Sequence, residues 1–509
     1  MTAPGENAEG WAPILAELER RRDEARAMGG PERVARHHAR GKLDARQRLA
    51  RLFDDGTFVE LGALVGGIPD PGSPHAPADG LIAGMGTIDG RRVLGAAEDF
   101  TTLGGSIGTG ASDKRYRMCQ LARQERVPLV FMLEGAGHRL TNAPAGRRPN
   151  DLQALAELSG LVPMVCLVLG PSAGHGALTA PLSDFVVMTE AASLFTAGPP
   201  LVKAAIGEDV TKEELGGPQV HVDVSGVAHN LATDDDEAIA LARRYLSYLP
   251  SSTWSAPPRV DGPDVGPRVL DEILDMIPPN SRLPYSMRDV VELLVDDGSY
   301  FEIQPSFGAS LVTALARLGG RSVAVIANDP SVLAGTVDRD AAEKAAHFCD
   351  VADTFHLPVV FLADNPGVMS GTAAERSGAL RYVARMFVAQ HRLRVPKLHV
   401  TVRKAFGFGS SVMAMNPFDG QTLSLAFPAV TLGALPAASG AESAKMDDEA
   451  LARAEAEQAS ASYRSANTMS FDDVIDPRQL RNALLHGLAL SDGRSTGPFE
   501  PASRYGIDP

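Results

Sequence analysis

The sequence predicts an α/β fold built from two tandem homologous domains. The first observation behind this prediction is an internal repeat, because Asp99 and Asp329 lie 230 positions apart (329 − 99) and many identical residues keep that separation. A repeat of this length is too long for a solenoid and indicates two copies of one domain. We therefore expect a first domain over 1–260 and a second over 261–509. Further pairs with the same offset are Gly90 and Gly320, Arg91 and Arg321, Val93 and Val323, Lys114 and Lys344, Cys119 and Cys349, Pro128 and Pro358, Phe131 and Phe361, and Gly137 and Gly367.

The second observation is a pair of glycine-rich turns in the first half, each of which follows a strand-like apolar run. The run over 127–133 ends in Glu134-Gly-Ala-Gly-His138, and the run over 162–169 ends in Gly170-Pro-Ser-Ala-Gly-His-Gly176. Two such turns can aim backbone N–H groups into one space, which suits an oxyanion that develops in a transition state. Ordinary tight turns are the alternative. The candidate residues are Gly135, Ala136, Gly137, Gly174, His175 and Gly176.

The second half has its own pair of turns, which favours a site over an accident of loop composition. After a three-residue slip the offset becomes 233 (407 − 174), and it then relates Gly174 to Gly407 and Gly176 to Gly409. The two turns of this half are Asp364-Asn-Pro-Gly367, after a strand, and Ala405-Phe-Gly-Phe-Gly409, before a helix.

The remaining elements follow from local patterns of charge, hydrophobicity, glycine and proline. Gly29-Gly30-Pro31 should stop a charged N-terminal helix, and the Pro/Gly/Ser-rich stretch 251–268 indicates a linker. The predicted elements are helices over 11–28, 109–126, 235–249 and 289–295, a hairpin over 81–90, a buried strand over 93–97, a loop over 66–80, a helical segment after Gly440 and loose ends at both termini.

Composition excludes several classes of protein. A formal charge of −15 over 509 residues argues against nucleic-acid binding, because phosphate contacts need a basic surface. The three cysteines, Cys119, Cys166 and Cys349, have no CxxC spacing, so neither a disulfide framework nor a zinc ribbon is expected. The absence of a signal peptide and of an apolar span of membrane length predicts a cytoplasmic protein.

One basic stretch stands out in this acidic chain. It runs over 36–49, and a later predicted helix adds more positive charge. A solvated helix face is one interpretation, and contact with a polyanionic ligand is the other. The candidates for such contacts are Arg40, Lys42, Arg46, Lys114 and Arg117.

Short motifs spread over the whole chain support a family resemblance. In the first half they are Ala39-Arg-Gly-Lys-Leu-Asp-Ala-Arg46, Asp54-Asp-Gly-Thr-Phe-Val-Glu60, Gly86-Thr-Ile-Asp-Gly-Arg91, Asp99-Phe-Thr101, Gly104-Gly-Ser106, Gly207-Glu-Asp-Val-Thr211 and Glu214-Leu-Gly-Gly217. In the second half they are Tyr300-Phe-Glu-Ile-Gln-Pro305, Asn365-Pro-Gly367, Gly371-Thr372, Arg403-Lys-Ala-Phe-Gly407 and Asp472-Asp-Val-Ile-Asp-Pro477. Between Arg36 and Leu484 the chain thus resembles the carboxyltransferase (beta) subunit of biotin-dependent acyl-CoA carboxylases.

The resemblance implies two tandem crotonase-like (ClpP/crotonase) domains and a homo-oligomer, namely a hexamer in which the first domain of one subunit faces the second domain of another. It also implies an acyl-CoA thioester at the first pair of turns and carboxybiotin at the second. Biotin would arrive on a separate carrier, because the chain has neither a biotin-accepting Met-Lys-Met motif nor an ATP-grasp-like stretch; the partner would be a biotin carboxylase/biotin carrier (alpha) subunit.

The resemblance further assigns roles to the turns. The first pair would hold an enolate oxygen, and the second would hold the ureido oxygen of biotin, whose nitrogen can take the substrate proton once CO2 departs. No metal and no side-chain base is then required. The residues expected at the biotin side are Gly367, Gly407, Phe408, Gly409, Ser410 and Ser411, and Arg40, Lys42 and Lys114 are expected to bind coenzyme A.

Some residues depart from the family pattern. Family members have Ser-Gly-Gly-Ala-Arg where this chain has Glu134 to His138, and Ala-Gly-Gly-Ala where it has His175. Side chains that point away from a backbone-made pocket, and acid–base groups within it, are both consistent with these changes. Ser411 stands where the propionyl branch has an acidic residue, so the sequence does not determine which acyl group the substrate carries. A decarboxylase subunit that uses the same half-reaction, or a degenerate scaffold subunit, are the alternative functions.

Overall fold

The computed structural model describes residues 6–68, 75–139, 150–495, 499–501 and 507–508. The chain divides into two compact units, of which the first ends at Arg244 and the second runs over Tyr245–Asp508. The sequence-based boundary at 260 lies within the second unit, and its assignment to functional halves stays a prediction. Parts of the predicted loop over 66–80 and of the C-terminal tail lie outside the described residues.

The first unit is built on an eight-stranded sheet in the order β1-β2-β3-β4-β5-β6-β8, with β7 paired to β5. The strands are β1 (Val59–Leu61), β2 (Leu81–Ile88), β3 (Arg91–Glu98), β4 (Leu129–Gly135), β5 (Met164–Ala173), β6 (Phe185–Thr189), β7 (Ser193–Phe195) and β8 (Asn230–Ala232). The β1–β2 and β2–β3 pairs are antiparallel, and β3 to β6 pair in parallel. The helices are α1 (Glu6–Arg26), α2 (Pro31–His38), α3 (Ala45–Leu52), α4 (Thr109–Glu125), α5 (Asp151–Leu158), α6 (Pro199–Ile206), α7 (Lys212–Gly216) and α8 (Asp235–Tyr248), which spans the unit boundary.

The second unit repeats this sheet in the order β9-β10-β11-β12-β13-β14-β16, with β15 paired to β13. The strands are β9 (Phe301–Ile303), β10 (Leu311–Leu318), β11 (Arg321–Asn328), β12 (Val359–Asn365), β13 (Lys397–Phe406), β14 (Leu423–Ala426), β15 (Thr431–Gly433) and β16 (Asp473–Val474). The helices are α9 (Ile273–Met276), α10 (Met287–Leu294), α11 (Arg339–Thr354), α12 (Thr372–Ser377), α13 (Ala379–His391), α14 (Gly407–Val412), α15 (Ala437–Ala444), α16 (Asp448–Ala459), α17 (Ala461–Asn467) and α18 (Leu480–Leu490).

The internal repeat is confirmed down to individual hydrogen bonds. In the first unit the Asp99 carboxylate accepts the Thr101 N–H at 3.0 Å, and in the second the Asp329 carboxylate accepts the Ser331 N–H at 3.0 Å. The parallel strand pairs also keep one register, since Leu94 opposes Leu129 and Ala324 opposes Val359. Each of these residues lies 230 positions from its counterpart (324 − 94 and 359 − 129). The predicted fold class is therefore correct.

The predicted elements of the first unit form close to where the pattern placed them, except that α1 already begins at Glu6, within the N-terminal end that the sequence predicts to be loose. The hairpin over 81–90 is the antiparallel β2–β3 pair, and Asp89 and Gly90 turn the chain with φ of 50° and 75°. The helix predicted over 109–126 is α4, which ends where Arg126 takes a left-handed conformation. The C-terminal part of the basic stretch forms the start of α3. The Asp44 carboxylate caps the first N–H groups of this helix.

The central strands of the first sheet lie inside its core. Strands β4, β5 and β6 are buried along their whole lengths, except for small residues at the end of β5. Parallel strands covered on both faces read as continuous apolar runs, and the runs over 127–133 and 162–169 have that pattern. Among the described residues, no helix is both long and apolar enough to cross a membrane.

Parallel pairing also brings the glycine-rich turns together. The carboxyl ends of β4 and β5 meet at one edge of the first sheet, and those of β12 and β13 meet at one edge of the second. Both ladders are interrupted just before the turn, at Leu133/Gly135 in the first and Ala363/Asn365 in the second. Such an irregularity re-aims the backbone at the strand end, where binding sites of α/β sheets lie.

We expect Gly335→Ala to destabilise the second unit strongly. Gly335 has a φ of +80°, and a Cβ there would lie 2.4 Å from the Asp364 carbonyl oxygen, so the substituted turn has no room to relax. Equilibrium denaturation should show a loss on the order of 3 kcal/mol or more, made of backbone strain and overpacking. Gly420→Ala is the matched control, because Gly420 has a φ of +71° and a Cβ there would meet no atom within 4 Å. The control should lose only about 1–2 kcal/mol; equal losses in the two variants would contradict the packing argument.

Candidate active site

The two turns of the first unit touch each other. Gly137 has a φ of +79°, and a Cβ there would lie 2.7 Å from the carbonyl oxygen of Ala173 at the end of β5. Gly135 opposes Ser172 in the β4–β5 ladder, so the turns leave their strands side by side. Only glycine combines this conformation with so close an approach of two backbones.

Some backbone N–H groups of these two turns are hydrogen-bonded within the fold, and others are not. The Ala136 N–H donates to the Gly104 carbonyl at 3.0 Å, and the Gly174 N–H donates to the Phe195 carbonyl at 3.1 Å. Because these two N–H groups already donate to carbonyls of the fold, they leave the set of candidate oxyanion donors. Within the described residues, the N–H groups of Gly137, His175 and Gly176 have no acceptor.

A charged network fixes the side chain between the two glycines of the second turn. Nε2 of His175 lies 2.6 Å from the Asp151 carboxylate, and Nε of Arg115 donates to the other oxygen of that carboxylate at 2.7 Å. Arg115 is fully buried, and its guanidinium lies 4.8 Å from the centre of the Phe131 ring. The ring of His138 stands edge-on to that of His175, with 4.4 Å between centroids.

The surroundings of the network shift the pKa values of its two carboxyl groups, Glu98 and Asp151, in opposite directions. Burial raises the pKa of Glu98 to about 7, against the opposing charge of Arg115. Burial acts in the same direction on Asp151, but the hydrogen bond with His175 and the charge of Arg115 outweigh it and hold the pKa of Asp151 below its usual range. Burial, followed by the neighbouring His175, lowers the pKa of His138. Asp151 is therefore ionised at neutral pH, and His138 is neutral.

Two further groups line the same region and were missed from sequence. The Glu98 carboxylate accepts the Glu134 N–H at 2.8 Å, and the Ser172 hydroxyl is buried with no hydrogen-bond partner within the described residues. A Cβ on Gly176 would lie 3.4 Å from a Glu98 oxygen and 3.8 Å from the Ser172 hydroxyl oxygen. The sequence signal for such residues was weak, because polar residues at strand ends and on helices are usually solvated.

The Glu134 side chain points away from the turn into a buried cluster. Its carboxylate lies 2.8 Å from Nζ of Lys42 and 2.6 Å from a guanidinium nitrogen of Arg48. Lys42 also donates to the Leu169 carbonyl at 2.7 Å. Burial opposes ionisation of Glu134, but Arg48 and Lys42 lower its pKa overall. Lys42, predicted to bind coenzyme A, thus has two partners inside the fold.

The other predicted cations fall into two groups. Lys114 is buried, and its ammonium donates to the carbonyls of Ala78 and Leu81, so binding phosphate would require breaking those bonds. Arg46 is paired with Glu60 at 2.7 Å, whereas Arg117 is exposed. Arg40 lies at a cavity of about 310 Å³ with two further arginines; the cavity is lined by Arg33, Arg36, His37, Arg40, Phe100, Thr101, Leu103 and Gly104.

The two turns of the second unit form the equivalent contact. A Cβ on Gly409 would lie 2.7 Å from Cα of Gly367 and 2.6 Å from the Asn365 amide oxygen. The Gly367 N–H donates to that same oxygen at 3.0 Å, so it is occupied. Gly407, Phe408 and Gly409 open α14, and the N–H groups of a first helical turn have no acceptor within the helix.

Ser410 and Ser411, the remaining predicted residues of this turn, form hydrogen bonds within the fold. The Ser410 hydroxyl donates to the Gly407 carbonyl at 2.6 Å, and the Ser411 carbonyl accepts from the Gln390 amide at 3.3 Å. The Phe408 side chain, between the two glycines of this turn, is 56 % exposed.

A buried triad anchors the second pair of turns. Asp364, at the end of β12, accepts from Nε of Arg403 at 2.7 Å and from the Tyr285 hydroxyl at 2.9 Å. The Arg403 guanidinium also donates to three loop carbonyls, those of Pro278, Asn280 and Leu283. Among the described residues, no group of histidine, cysteine and carboxylate side chains could hold a metal ion.

Comparison with known proteins identifies the class of this arrangement. The family model of the carboxyl transferase domain matches residues 36–504, so the chain belongs to the carboxyl transferase family. It is 36% identical over 91% of its length, and 93% of the relative, to the methylmalonyl-CoA decarboxylase subunit alpha of Veillonella parvula. It is also 35% identical to the methylmalonyl-CoA carboxyltransferase 12S subunit of Propionibacterium freudenreichii subsp. shermanii, with 97% of both chains covered.

Relatives with solved structures show the same fold. A transcarboxylase 12S crystal structure, described as a hexamer assembly with methylmalonyl-coenzyme A bound, matches with a TM-score of 0.88 and 34% identity over 97% of this chain and 98% of that one. A single-chain, multi-domain long-chain acyl-CoA carboxylase matches 93% of this chain with 50% of its own, at a TM-score of 0.82 and 31% identity. The resemblance to tandem crotonase-like carboxyltransferases is confirmed.

The raised pKa of Glu98 predicts a pH dependence of stability. A carboxyl group with a raised folded-state pKa contributes stability that is fully present below its unfolded pKa and is lost as the pH rises through its folded pKa. For Glu98 that window runs from 4.5 to about 7. Glu98→Gln removes the titrating group, so the free energy of unfolding of the variant should fall less between pH 5 and pH 8, by roughly 1–3 kcal/mol.

Urea denaturation of both proteins at the two pH values measures this difference. Glu157→Gln is the control, since the Glu157 side chain is 62% exposed. If Glu98→Gln and the control keep the same pH dependence as the parent protein, Glu98 is ionised in the folded state and the assignment is wrong.

Proposed function

We propose that the protein is the carboxyltransferase subunit of a biotin-dependent acyl-CoA carboxylase, which moves a carboxyl group from carboxybiotin to the α- or γ-carbon of an acyl-CoA. The observation that carries the proposal is the duplicated pair of touching turns, each with backbone N–H groups that have no acceptor within the described residues. The reaction develops negative charge on two different oxygens, and each needs its own set of donors.

In the first unit, the N–H groups of Gly137, His175 and Gly176 would hold the thioester oxygen as it becomes an enolate oxygen. These donors are held rigidly by buried strands, so no reorganisation is required when the charge appears. The donors belong to the backbone, so the departures of Glu134 and His138 from the family pattern leave them in place.

In the second unit, the N–H groups of Phe408 and Gly409 would hold the ureido oxygen of biotin. The glycines at 407 and 409 let this turn pack closely against its neighbours, because a Cβ would lie 3.2 Å from the Ala434 carbonyl oxygen at Gly407 and 2.7 Å from Cα of Gly367 at Gly409. When bound, carboxybiotin supplies the activated carboxyl group. Gly367 supports this turn through Asn365 and does not offer its own N–H.

The cavity lined by Arg33, Arg36 and Arg40 would bind the phosphates of coenzyme A. Three guanidinium groups around one cavity form a local cationic site on a protein whose formal charge is −15. Gly104 lines the cavity and also accepts the Ala136 N–H, so the cavity adjoins the first turn pair. That adjacency suits a ligand with phosphates at one end and a thioester at the other.

Two further assignments belong to the proposal. The chain would form a homo-hexamer and would work with a biotin carboxylase/biotin carrier subunit, as the hexamer described for the 12S relative suggests. A cytoplasmic location is supported by the three cysteines, all of which are buried and free. A decarboxylase subunit is the second candidate, since a methylmalonyl-CoA decarboxylase subunit is among the relatives at 36% identity.

The function is tested by carboxyl exchange between carboxylated biotin carrier protein and acetyl-, propionyl- and 3-methylcrotonyl-CoA. Transfer to at least one of them supports the carboxyltransferase, and formation of carboxybiotin from methylmalonyl-CoA, without transfer in the other direction, supports the decarboxylase. Binding of no acyl-CoA at all would support the scaffold alternative and overturn the proposal.

Reversing charge in the cationic cavity should weaken binding of acyl-CoA. Arg36→Glu combined with Arg40→Glu removes two of its three guanidinium groups, so we expect the dissociation constant of propionyl-CoA to rise on the order of 10- to 100-fold at low salt. Calorimetry at two salt concentrations measures the effect. Arg92→Glu is the control, because Arg92 is exposed at the start of β3 and does not line the cavity. An equal rise of the dissociation constant in the control would show that overall charge, and not the cavity, determines binding.

A methyl group on the second turn should strongly reduce carboxyl transfer without affecting acyl-CoA binding. The Cβ of Gly409→Ala would lie within 2.8 Å of Asn365 and Gly367, and would push the turns apart. Loss of one oxyanion donor costs on the order of 10²–10³ in turnover. Carboxyl transfer and propionyl-CoA affinity are measured on the same folded variant, with Gly440→Ala, which has open space around it, as the control. Normal transfer would show that this turn does not hold biotin.

A further inference from the structure

The three residues Arg115, His138 and His175 have no ionisable residue at the corresponding positions of the second unit, whose buried ion pair, Asp364 with Arg403, stands at other positions. With the offset of 230, Arg115 corresponds to Ala345 and His138 to Val368; with the offset of 233, His175 corresponds to Phe408. The second pair of turns forms with uncharged residues at these three positions, so the turns do not require charges there.

The network is also costly to bury. Arg115 is fully buried, and Asp151 is 1% exposed. A buried ion pair contributes little net stability, because desolvation of both charges offsets their attraction. Ionisable residues stand at positions where the other unit has none, and they lie beside backbone N–H groups that have no acceptor within the described residues. This placement points to a role in the chemistry.

We propose that His175 is a catalytic residue that exchanges a proton with the reacting carbon of the acyl-CoA, and that Asp151 and Arg115 position it. This inference rests on the proposed function. The ionised Asp151 carboxylate accepts the Nε2–H of His175, which leaves Nδ1 as the ring nitrogen with a free electron pair. Within the described residues Nδ1 has no hydrogen-bond partner, and the side chain remains 17% exposed.

The step balances without another reagent. The C–H bond next to the thioester breaks, its electron pair enters the enolate, and the proton forms a new bond to Nδ1 of His175. The N–H groups of the same turn hold the enolate oxygen, so the base and the oxyanion donors lie within one residue of each other. Without carboxybiotin, the imidazolium returns a proton to the carbon, which restores the thioester. With carboxybiotin bound, the enolate pair would instead bond to the carboxyl carbon, the bond from that carbon to the ureido nitrogen would break, and the proton held by the imidazolium would pass, directly or through water, to the ureido nitrogen.

The groups that face His175 are the Asp151 carboxylate and the His138 ring, with Arg115 on the far side of Asp151. Asp151 stabilises the imidazolium once it forms, as the carboxylate of an Asp–His pair does. His138, edge-on at 4.4 Å, is neutral at pH 7 and adds no second positive charge. The Arg115 charge is compensated by Asp151 and lies 3.4 Å from Glu98.

The decisive experiment is solvent exchange in the absence of biotin. Propionyl-CoA, and 3-methylcrotonyl-CoA for reaction at its γ-carbon, are incubated with the full chain in D2O, and deuterium incorporation is followed by mass spectrometry. If His175 is the base, the parent protein exchanges the proton without biotin; if the biotin ureido nitrogen is the base, the thioesters bind and do not exchange. That second outcome overturns the inference and leaves the proposed function intact, whereas failure of all thioesters to bind overturns both.

Variants separate catalysis from structure. His175→Gln should lower the exchange rate by 10²-fold or more, and Asp151→Asn, which favours the wrong tautomer, should lower it by roughly 10²–10⁴-fold, with thioester affinity changed less than about threefold. Added imidazole should restore part of the exchange in His175→Ala. His391→Gln is the control, because His391 also pairs with a carboxylate, Asp419, at 2.7 Å in the second unit. Unchanged exchange in His175→Gln would overturn the inference.

Discussion

The site depends on the parallel pairing of β4 with β5 and of β12 with β13. Parallel ladders place both carboxyl ends at one edge of a sheet, and an irregularity before Gly135 and before Asn365 turns the backbone out of each ladder. The turns then approach so closely that a Cβ on Gly137 or Gly409 would collide with the opposite backbone. The strands beneath are buried in a close-packed interior, so the turns have little room to separate.

Much of this arrangement could be predicted from sequence because its signals are local or periodic. Continuous apolar runs indicated buried parallel strands, glycines marked the turns, and the repeated spacing of Asp99 and Asp329 revealed the duplication. The structure agrees at each point, down to the same hydrogen bond two residues after each of these aspartates.

The rest depended on contacts between residues far apart in the chain. Ala136 and Gly174 looked equivalent to their neighbours, but their N–H groups are taken by the carbonyls of Gly104 and Phe195. Lys114 looked like a surface cation on a helix, and it is buried against two carbonyls. The periodic pattern of apolar residues in the sequence does not indicate which acceptor a backbone N–H or a lysine ammonium group will contact in the folded chain.

The comparison of the two units separates what the fold needs from what the chemistry uses. Both pairs of turns offer backbone donors, and such donors survive changes of side chain, so Glu134 could enter a buried cluster with Lys42 while Gly137 kept its N–H. Side chains near the turns are therefore free to differ between the units. The first unit has charged and ionisable groups around the turn that would hold an enolate, where a proton must move. The second has Phe408 at the corresponding position, where only an oxygen would have to be held. Under the proposed function, the same backbone would meet two different chemical demands, and the side chains around each pair of turns would differ accordingly.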